Sequence, residues 1–169
     1  LKEIRDILKK AAVDRRVNAI VLKPGGVAAG WGKIEEIRAG LEEFRMSRKP
    51  LVAWLQVAGM REYYLASAAD KVYAAPEGML DLKGLRAEAI FFKNTLGKIG
   101  VEAELEHIGK YKSYSEHFTS DRMSDEFREV TNSILDTMLD QFLTTVGRGR
   151  RMTPDRLRAI LDQGPFLPA

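Results

Sequence analysis

Short apolar runs rich in β-branched residues alternate with segments whose apolar residues recur every three or four positions. This alternation constrains the fold more than any other feature of the chain. Residues 17–23 (VNAIVLK), 51–57 (LVAWLQV) and 71–75 read as strands. Between them, Ile34, Ile37, Leu41 and Phe44 mark residues 33–47 as an amphipathic helix, and residues 60–69 (MREYYLASAA) read as a short helix. A first helix, 1–12, precedes them. Pro24-Gly25-Gly26 breaks the first strand, Pro50 precedes the second, and Pro76 closes the third. Connections of this length are crossovers, so the expected class is α/β, with a parallel core sheet and helices packed on it. The strands show little polar alternation, which predicts cover on both faces.

The second half carries an expected strand at 80–88, a helix at 89–99 that Gly97 weakens, a strand at 103–108 and a polar loop at 109–123. Ser124 caps a long helix with Asp125 and Glu126 in its first turn, an apolar stripe of Phe127, Val130, Ile134, Met138, Phe142 and Val146, and Gly147 at its end. Thr153-Pro154 starts the last helix and Gly164-Pro165 ends it. No internal repeat or long linker interrupts the chain, so residues 1–169 read as one domain, long enough to bury a core without disulfides. The chain begins Leu1-Lys2-Glu3-Ile4, already in a helical pattern and without an initiator Met, and is expected to be part of a longer protein.

Composition removes several chemistries. There is no Cys, and the two histidines, His107 and His117, stand without a metal-ligand pattern of carboxylates, so no metal or cofactor is expected. Twenty-seven Lys and Arg against 24 Asp and Glu leave a net charge of +3, too small to point to a nucleic-acid partner. No apolar run approaches the ~18 residues of a membrane span.

Three features could carry chemistry. Gly25 and Gly26, past the end of a parallel strand, leave backbone N–H groups free to hold an oxyanion or an extended peptide; the alternative is a tight turn needing positive φ. Neither phosphate-loop pattern is present. Gly109-Lys110-Tyr111-Lys112-Ser113 places two lysines in a loop after an expected strand, and a buried lysine can act as a general base; the alternative is two solvated side chains. None of Ser47, Ser67, Ser113, Ser115, Ser120, Ser124 and Ser133 lies in a nucleophile motif; Ser124 fits a cap and Ser67 a packing role. Arg148, Arg150 and Arg151 suit the negative end of a helix dipole, with a phospholipid-head or nucleic-acid patch as the alternative.

The segment 63–73 (YYLASAADKVY) resembles a helix–strand segment of the signal peptide peptidase A (protease IV) family. Pro24-Gly25-Gly26 is similar to that family's turn after the first core strand, Trp31 to Ile37 to the following helix, Asp81-Leu82-Lys83-Gly84 to a later turn, and Gly109 to Ser113 to the segment bearing the family's catalytic lysine. The resemblance runs in order over nearly the whole chain. It implies a Clp-protease/crotonase-like fold of repeated ββα units around a parallel sheet, and a Ser/Lys dyad that cleaves peptides such as signal-peptide remnants. Lys112 matches the general base, Lys110 falls on a variable position, and Gly25 and Gly26 become candidates for substrate or oxyanion binding.

One departure stands out. Met60 falls where complete repeats of the family carry the nucleophilic serine, and Arg61-Glu62 replace a glycine pair. This resembles the N-terminal, lysine-carrying half of the long two-repeat form, in which a second repeat supplies the serine and active sites form where repeats meet in a homo-oligomer. Gly164-Pro165-Phe166 matches the end of that half. The resemblance further implies membrane association through parts outside this chain, at the bacterial cell envelope facing the periplasm or exterior, or at the thylakoid membrane. Two other readings stay open: a non-catalytic scaffold repeat, and a crotonase-type acyl-CoA enzyme in which Gly25 and Gly26 polarise a thioester.

Overall fold

α1 (Lys2–Val13) leads into three strands, β1 (Ile20–Leu22), β2 (Leu51–Gly59) and β3 (Lys71–Asp81), which form a parallel sheet in the order β1–β2–β3. α2 (Trp31–Arg45) and α3 (Met60–Ala66) make the two crossovers. The chain then runs through α4 (Lys93–Lys98), a single 3-10 turn (Ser113–Ser115), α5 (Glu116–Thr119), α6 (Asp125–Arg150) and α7 (Pro154–Leu161). This is a computed structural model, and it describes residues 1–105 and 112–167. The chain divides into two units, Leu1–Gly84 with Gln141–Ala169, and Leu85–Asp140.

In the first unit the α/β class and the parallel sheet are as the sequence predicts. The strand limits differ for local reasons. β1 is shorter than the apolar run, because the Val17 N–H donates to the Asp14 carbonyl (3.1 Å) in the turn that leaves α1. β3 is longer, since Pro76 does not end it. The register steps from Leu55↔Ala74 to Val57↔Met79, so the residues around Pro76 bulge out of the ladder, where a missing N–H costs nothing. Gly78 closes that bulge, and a Cβ there would lie 2.7 Å from the Gln56 carbonyl oxygen. Past the bulge, Leu80 exchanges both backbone hydrogen bonds with Phe166 in an antiparallel bridge.

Leu51, Ala53 and Leu55 of β2 face the core together with Ile34, Leu41 and Phe44 of α2, Phe142, Leu143 and Val146 of α6, and Leu157 and Leu161 of α7. The opposite sheet face is not covered as the sequence predicts: Val21, Trp54 and Tyr73 are 61%, 40% and 47% exposed. Crossovers of one hand, in a sheet built in one direction, place both helices on the same side. α6 also runs past Gly147. That glycine is used for close approach instead, since a Cβ would meet the Met152 carbonyl oxygen at 2.8 Å. Thr153 caps α7 as its sequence suggests, its hydroxyl accepting from the Arg156 N–H at 3.3 Å.

The second unit departs further from expectation. Of the strand read at 80–88 only the first two residues are extended, as the end of β3; the helix read at 89–99 forms only over Lys93–Lys98; and 103–105 lack regular structure. The remainder of the strand read at 103–108, and Gly109 to Tyr111, lie outside the described residues. An aromatic cluster organises this unit: the His117 ring stacks on Phe91 (5.7 Å), meets Phe127 edge-on (5.5 Å), and its Nδ1 lies 2.7 Å from the Ile90 carbonyl oxygen. Ser124 caps α6 as read, accepting from the Phe127 N–H at 3.1 Å.

The first unit contains a buried cation. Arg38 of α2 is 4% exposed. Its Nη1 donates to the Tyr64 carbonyl oxygen and to Ser67 Oγ (2.7 Å), and its guanidinium lies 4.9 Å from the centre of the Tyr64 ring. Burial pushes its pKa down, while Glu42 and Tyr64 oppose that shift. Replacing Arg38 by Ala is expected to lower the unfolding free energy by about 2–3 kcal/mol, because buried acceptors lose a charged donor. Lys at this position recovers less than half of that, lacking the planar fork. Urea denaturation measures both, and a loss below about 0.5 kcal/mol for Arg38→Ala contradicts the assignment.

Burial also pushes the Tyr64 phenol up from its ordinary value. The folded state therefore holds this proton more tightly than the unfolded chain. That contribution is complete below about pH 10 and is lost as pH rises through the higher folded value. Tyr64→Phe should show a shallower fall in stability over that alkaline range than the parent chain.

Candidate active site

β2 passes directly into α3, so Gly59 is both the last strand residue and the N-cap, and Met60 is the first helical residue. A turn of this kind, at the carboxyl end of a parallel strand, leaves amides of the first helical turn without partners. Here a side chain of the same helix takes up the N-cap amide and one amide of a neighbouring loop. Glu62 Oε2 accepts from the Gly59 N–H at 3.1 Å, and Oε1 accepts from the Val27 N–H at 2.8 Å. One carboxylate thus joins the N-terminus of α3 to the loop after β1. The contact to Gly59 is one half of a capping box. Met60 is 8% exposed, and its thioether is not a nucleophile of the kind acyl transfer needs.

Gly25 and Gly26 lie in the loop between β1 and α2. Gly26 has φ +59°, so the turn reading of this pair holds at that position, and a Cβ at either glycine would meet nothing within 4 Å. Both residues are exposed, and among the described residues their amides have no hydrogen-bond partner. They border a depression of about 380 Å³ with Lys23, Trp54, Gln56 and Val57. It opens on the uncovered sheet face, so apolar side chains and free amides line one surface.

Lys112 belongs to the second unit. It is exposed, immediately precedes the Ser113–Ser115 turn, and has no carboxylate partner among the described residues. Lys110 and His107 lie outside those residues. Ser113 is half-buried and Ser115 buried. Ser67 has the packing role read for it, donating to the Tyr64 carbonyl oxygen at 2.9 Å beneath Arg38. The structure therefore brings Gly25, Gly26, Met60 and Glu62 into one unit and carries Lys112 in the other. Sequence reasoning missed Glu62. Its signal was present, a carboxylate three positions after the residue that closes a strand.

An α/β unit with a strand–helix turn at the carboxyl end of its sheet defines the structural class. Residues 43–168 match peptidase family S49, and the chain belongs to that family. It is 30% identical over 166 residues to "Serine protease SPPA, chloroplastic" of Arabidopsis thaliana, an alignment covering 98% of this chain and 24% of that protein. It is 32% identical over 167 residues to "Protease 4" of Salmonella typhi, covering 96% of this chain and 27% of that protein. The chain thus spans about a quarter of the length of these relatives. Among solved structures it is similar to an enoyl-CoA hydratase/isomerase family protein from Silicibacter pomeroyi, at 14% identity and a TM-score of 0.36, covering 94% of this chain and 82% of that one.

The Glu62 bridge makes a direct prediction. Glu62→Ala should lower stability by about 1–3 kcal/mol, since two amides lose a charged acceptor, and Glu62→Gln should lose less because one amide oxygen still accepts. Hydrogen exchange at the Val27 and Gly59 amides should accelerate together in Glu62→Ala. Unchanged protection at both would show that the carboxylate does not hold them.

Proposed function

We propose that this chain is the lysine-carrying, serine-lacking repeat of an S49 serine peptidase. Lys112 acts as general base toward a serine supplied by a second repeat. In its neutral form the Lys112 amine takes the proton from the serine hydroxyl as Oγ attacks the peptide carbonyl. The resulting ammonium returns that proton to the leaving amine as the C–N bond breaks. Water then attacks the acyl-serine by the same route and releases the carboxylate product. Gly25 and Gly26 offer amides to the backbone of an extended peptide or to the oxyanion, with Trp54 and Val57 beneath its side chains.

The observation that carries this reading is the β2–α3 turn. Met60 stands where the nucleophile would be, and Glu62 already occupies the Val27 and Gly59 amides. The turn thus offers neither a nucleophile nor those donors. A lysine works as a base only when it is shielded from water. Lys112 is exposed in this chain, so the reading requires the serine-bearing repeat to cover it. It extends to a homo-oligomer in which repeats meet, and to peptides such as cleaved signal peptides as substrates. It also extends to association with a cell-envelope or thylakoid membrane through parts outside this chain. Among the described residues no helix is long and apolar enough to cross a membrane.

The exposure of Lys112 also favours a second reading, a non-catalytic scaffold repeat. Replacing Lys112 by Ala in the parent protein separates the two. The catalytic reading expects hydrolysis of a signal-peptide-like substrate to fall by about 10²–10⁴-fold in kcat, with assembly and stability intact. An unchanged rate rejects the base assignment and leaves the scaffold. The purified 169-residue chain is expected to hydrolyse no peptide by itself.

A further inference from the structure

The end of α6 carries charge that no acidic group among the described residues answers. A cleft of about 580 Å³ in the first unit is lined by Arg38, Arg45, Arg148, Arg150 and Arg151. Its two carboxylates are already engaged. Asp70 Oδ1 accepts from Arg45 Nε at 2.9 Å, and its Oδ2 accepts from the Leu51 N–H at 2.9 Å. Glu42 stands 3.1 Å from Arg38 Nε. Arg38 and Glu42 therefore answer one another within the cleft wall. Arg148, Arg150 and Arg151 make no ion pair or side-chain hydrogen bond among the described residues.

The backbone at this point offers a second argument. The Met152 N–H donates to the Gly147 carbonyl oxygen (2.9 Å) and the Arg151 N–H to that of Arg148 (3.4 Å), the Schellman closure of a helix. The residue at its turning point normally is glycine, because it takes positive φ. Here it is Arg151, at φ +56°. Favourable interaction with the helix dipole explains cations in the last turn, such as Arg148 and Arg150. It does not explain an arginine at the one position where the backbone favours glycine. The closure also satisfies two carbonyls that would otherwise face an anion. The remaining helix-end charge, about half a negative unit, is small against three unpaired guanidinium groups.

We propose that this cleft binds a phosphate-type oxyanion, presented as a free phosphate or as the headgroup of an anionic phospholipid. Guanidinium forks match the oxygen spacing of phosphate and hold it with charge-assisted, paired hydrogen bonds. The proposal is independent of the peptidase reading, since none of these residues is placed in that machinery.

The test titrates pyrophosphate into the 169-residue chain at low salt, followed by calorimetry and by amide shifts. Sedimentation with phosphatidylglycerol or phosphatidylcholine vesicles runs in parallel. Saturable, salt-sensitive binding of pyrophosphate with shifts at 149–152 assigns a soluble phosphate. Retention on phosphatidylglycerol vesicles alone assigns a lipid headgroup. Either outcome supports the cleft. Arg148→Gln with Arg150→Gln should weaken binding about tenfold or more. Arg151→Gly should weaken it while raising Tm by about 2–4 °C, an opposition that a purely structural arginine would not produce. Lys2→Gln with Lys9→Gln removes the same charge from α1 and should leave affinity unchanged. Failure to bind either probe overturns the proposal. So does equal binding by the arginine variants, or equal weakening by the α1 variant.

Discussion

The geometry of the first unit depends on how a seven-residue helix is held at both ends. α3 is far below the length at which a helix is stable alone. At its C-terminal end, Arg38 reaches from α2 to the Tyr64 carbonyl oxygen and Ser67 Oγ. At its N-terminal end, Glu62 reaches across to Val27 and back to Gly59. Between them the Tyr64 ring meets Trp31 edge-on at 5.6 Å and lies 6.0 Å from Phe142. Two charged side chains and one aromatic ring therefore set where Met60 stands, and the Gly25–Gly26 loop is tied to the same frame through Val27.

The same frame sets the register of β3. Ala68 and Ala69 are buried, and their small side chains let the chain leave α3 closely against its neighbours. At Gly149 a Cβ would lie 2.6 Å from the Ser67 carbonyl oxygen, so α6 approaches this turn at backbone distance. Asp70 then exchanges backbone and side-chain contacts with Leu51: its N–H donates to the Leu51 carbonyl (2.8 Å), while its carboxylate accepts from the Leu51 N–H. That two-sided contact starts the ladder at Val52↔Lys71. The segment from Tyr63 to Tyr73 thus has a physical account that does not depend on catalysis: ring, hydroxyl, small residues and carboxylate each fix one step from helix to strand.

The α/β class was legible because apolar period and turn residues agreed at every step from Val17 to Ala75. Lys112 could be singled out only through a resemblance, since its own neighbours do not distinguish a base from a solvated lysine. The misreadings come from tertiary partners. Pro76 does not end β3, because a bulge absorbs the missing donor. The apolar residues of 82–105 do not become strands, because among the described residues they have none to pair with. The uncovered face with Trp54 and Tyr73 was hidden because an apolar run looks the same whether or not a second layer covers it. Arg38 was invisible for the opposite reason, since a single arginine on an amphipathic helix reads as solvated until its acceptors are known.

At the β2–α3 turn the identity of one side chain also limits what the rest can do. A carboxylate that accepts from Val27 and Gly59 satisfies these amides and places negative charge where they converge. A tetrahedral oxyanion formed at the same amides would meet that charge at close range. The tie between the glycine loop and the helix, and oxyanion stabilisation by these amides, are therefore exclusive uses of the same donors. On the proposed reading, a serine at position 60 would supply a hydroxyl but leave Glu62 in place, so the missing nucleophile would be only half of the difference from a complete site. In the proposed division of labour, this repeat uses Glu62 for rigidity and keeps a base, and the chemistry that needs open amides proceeds where no carboxylate fills them.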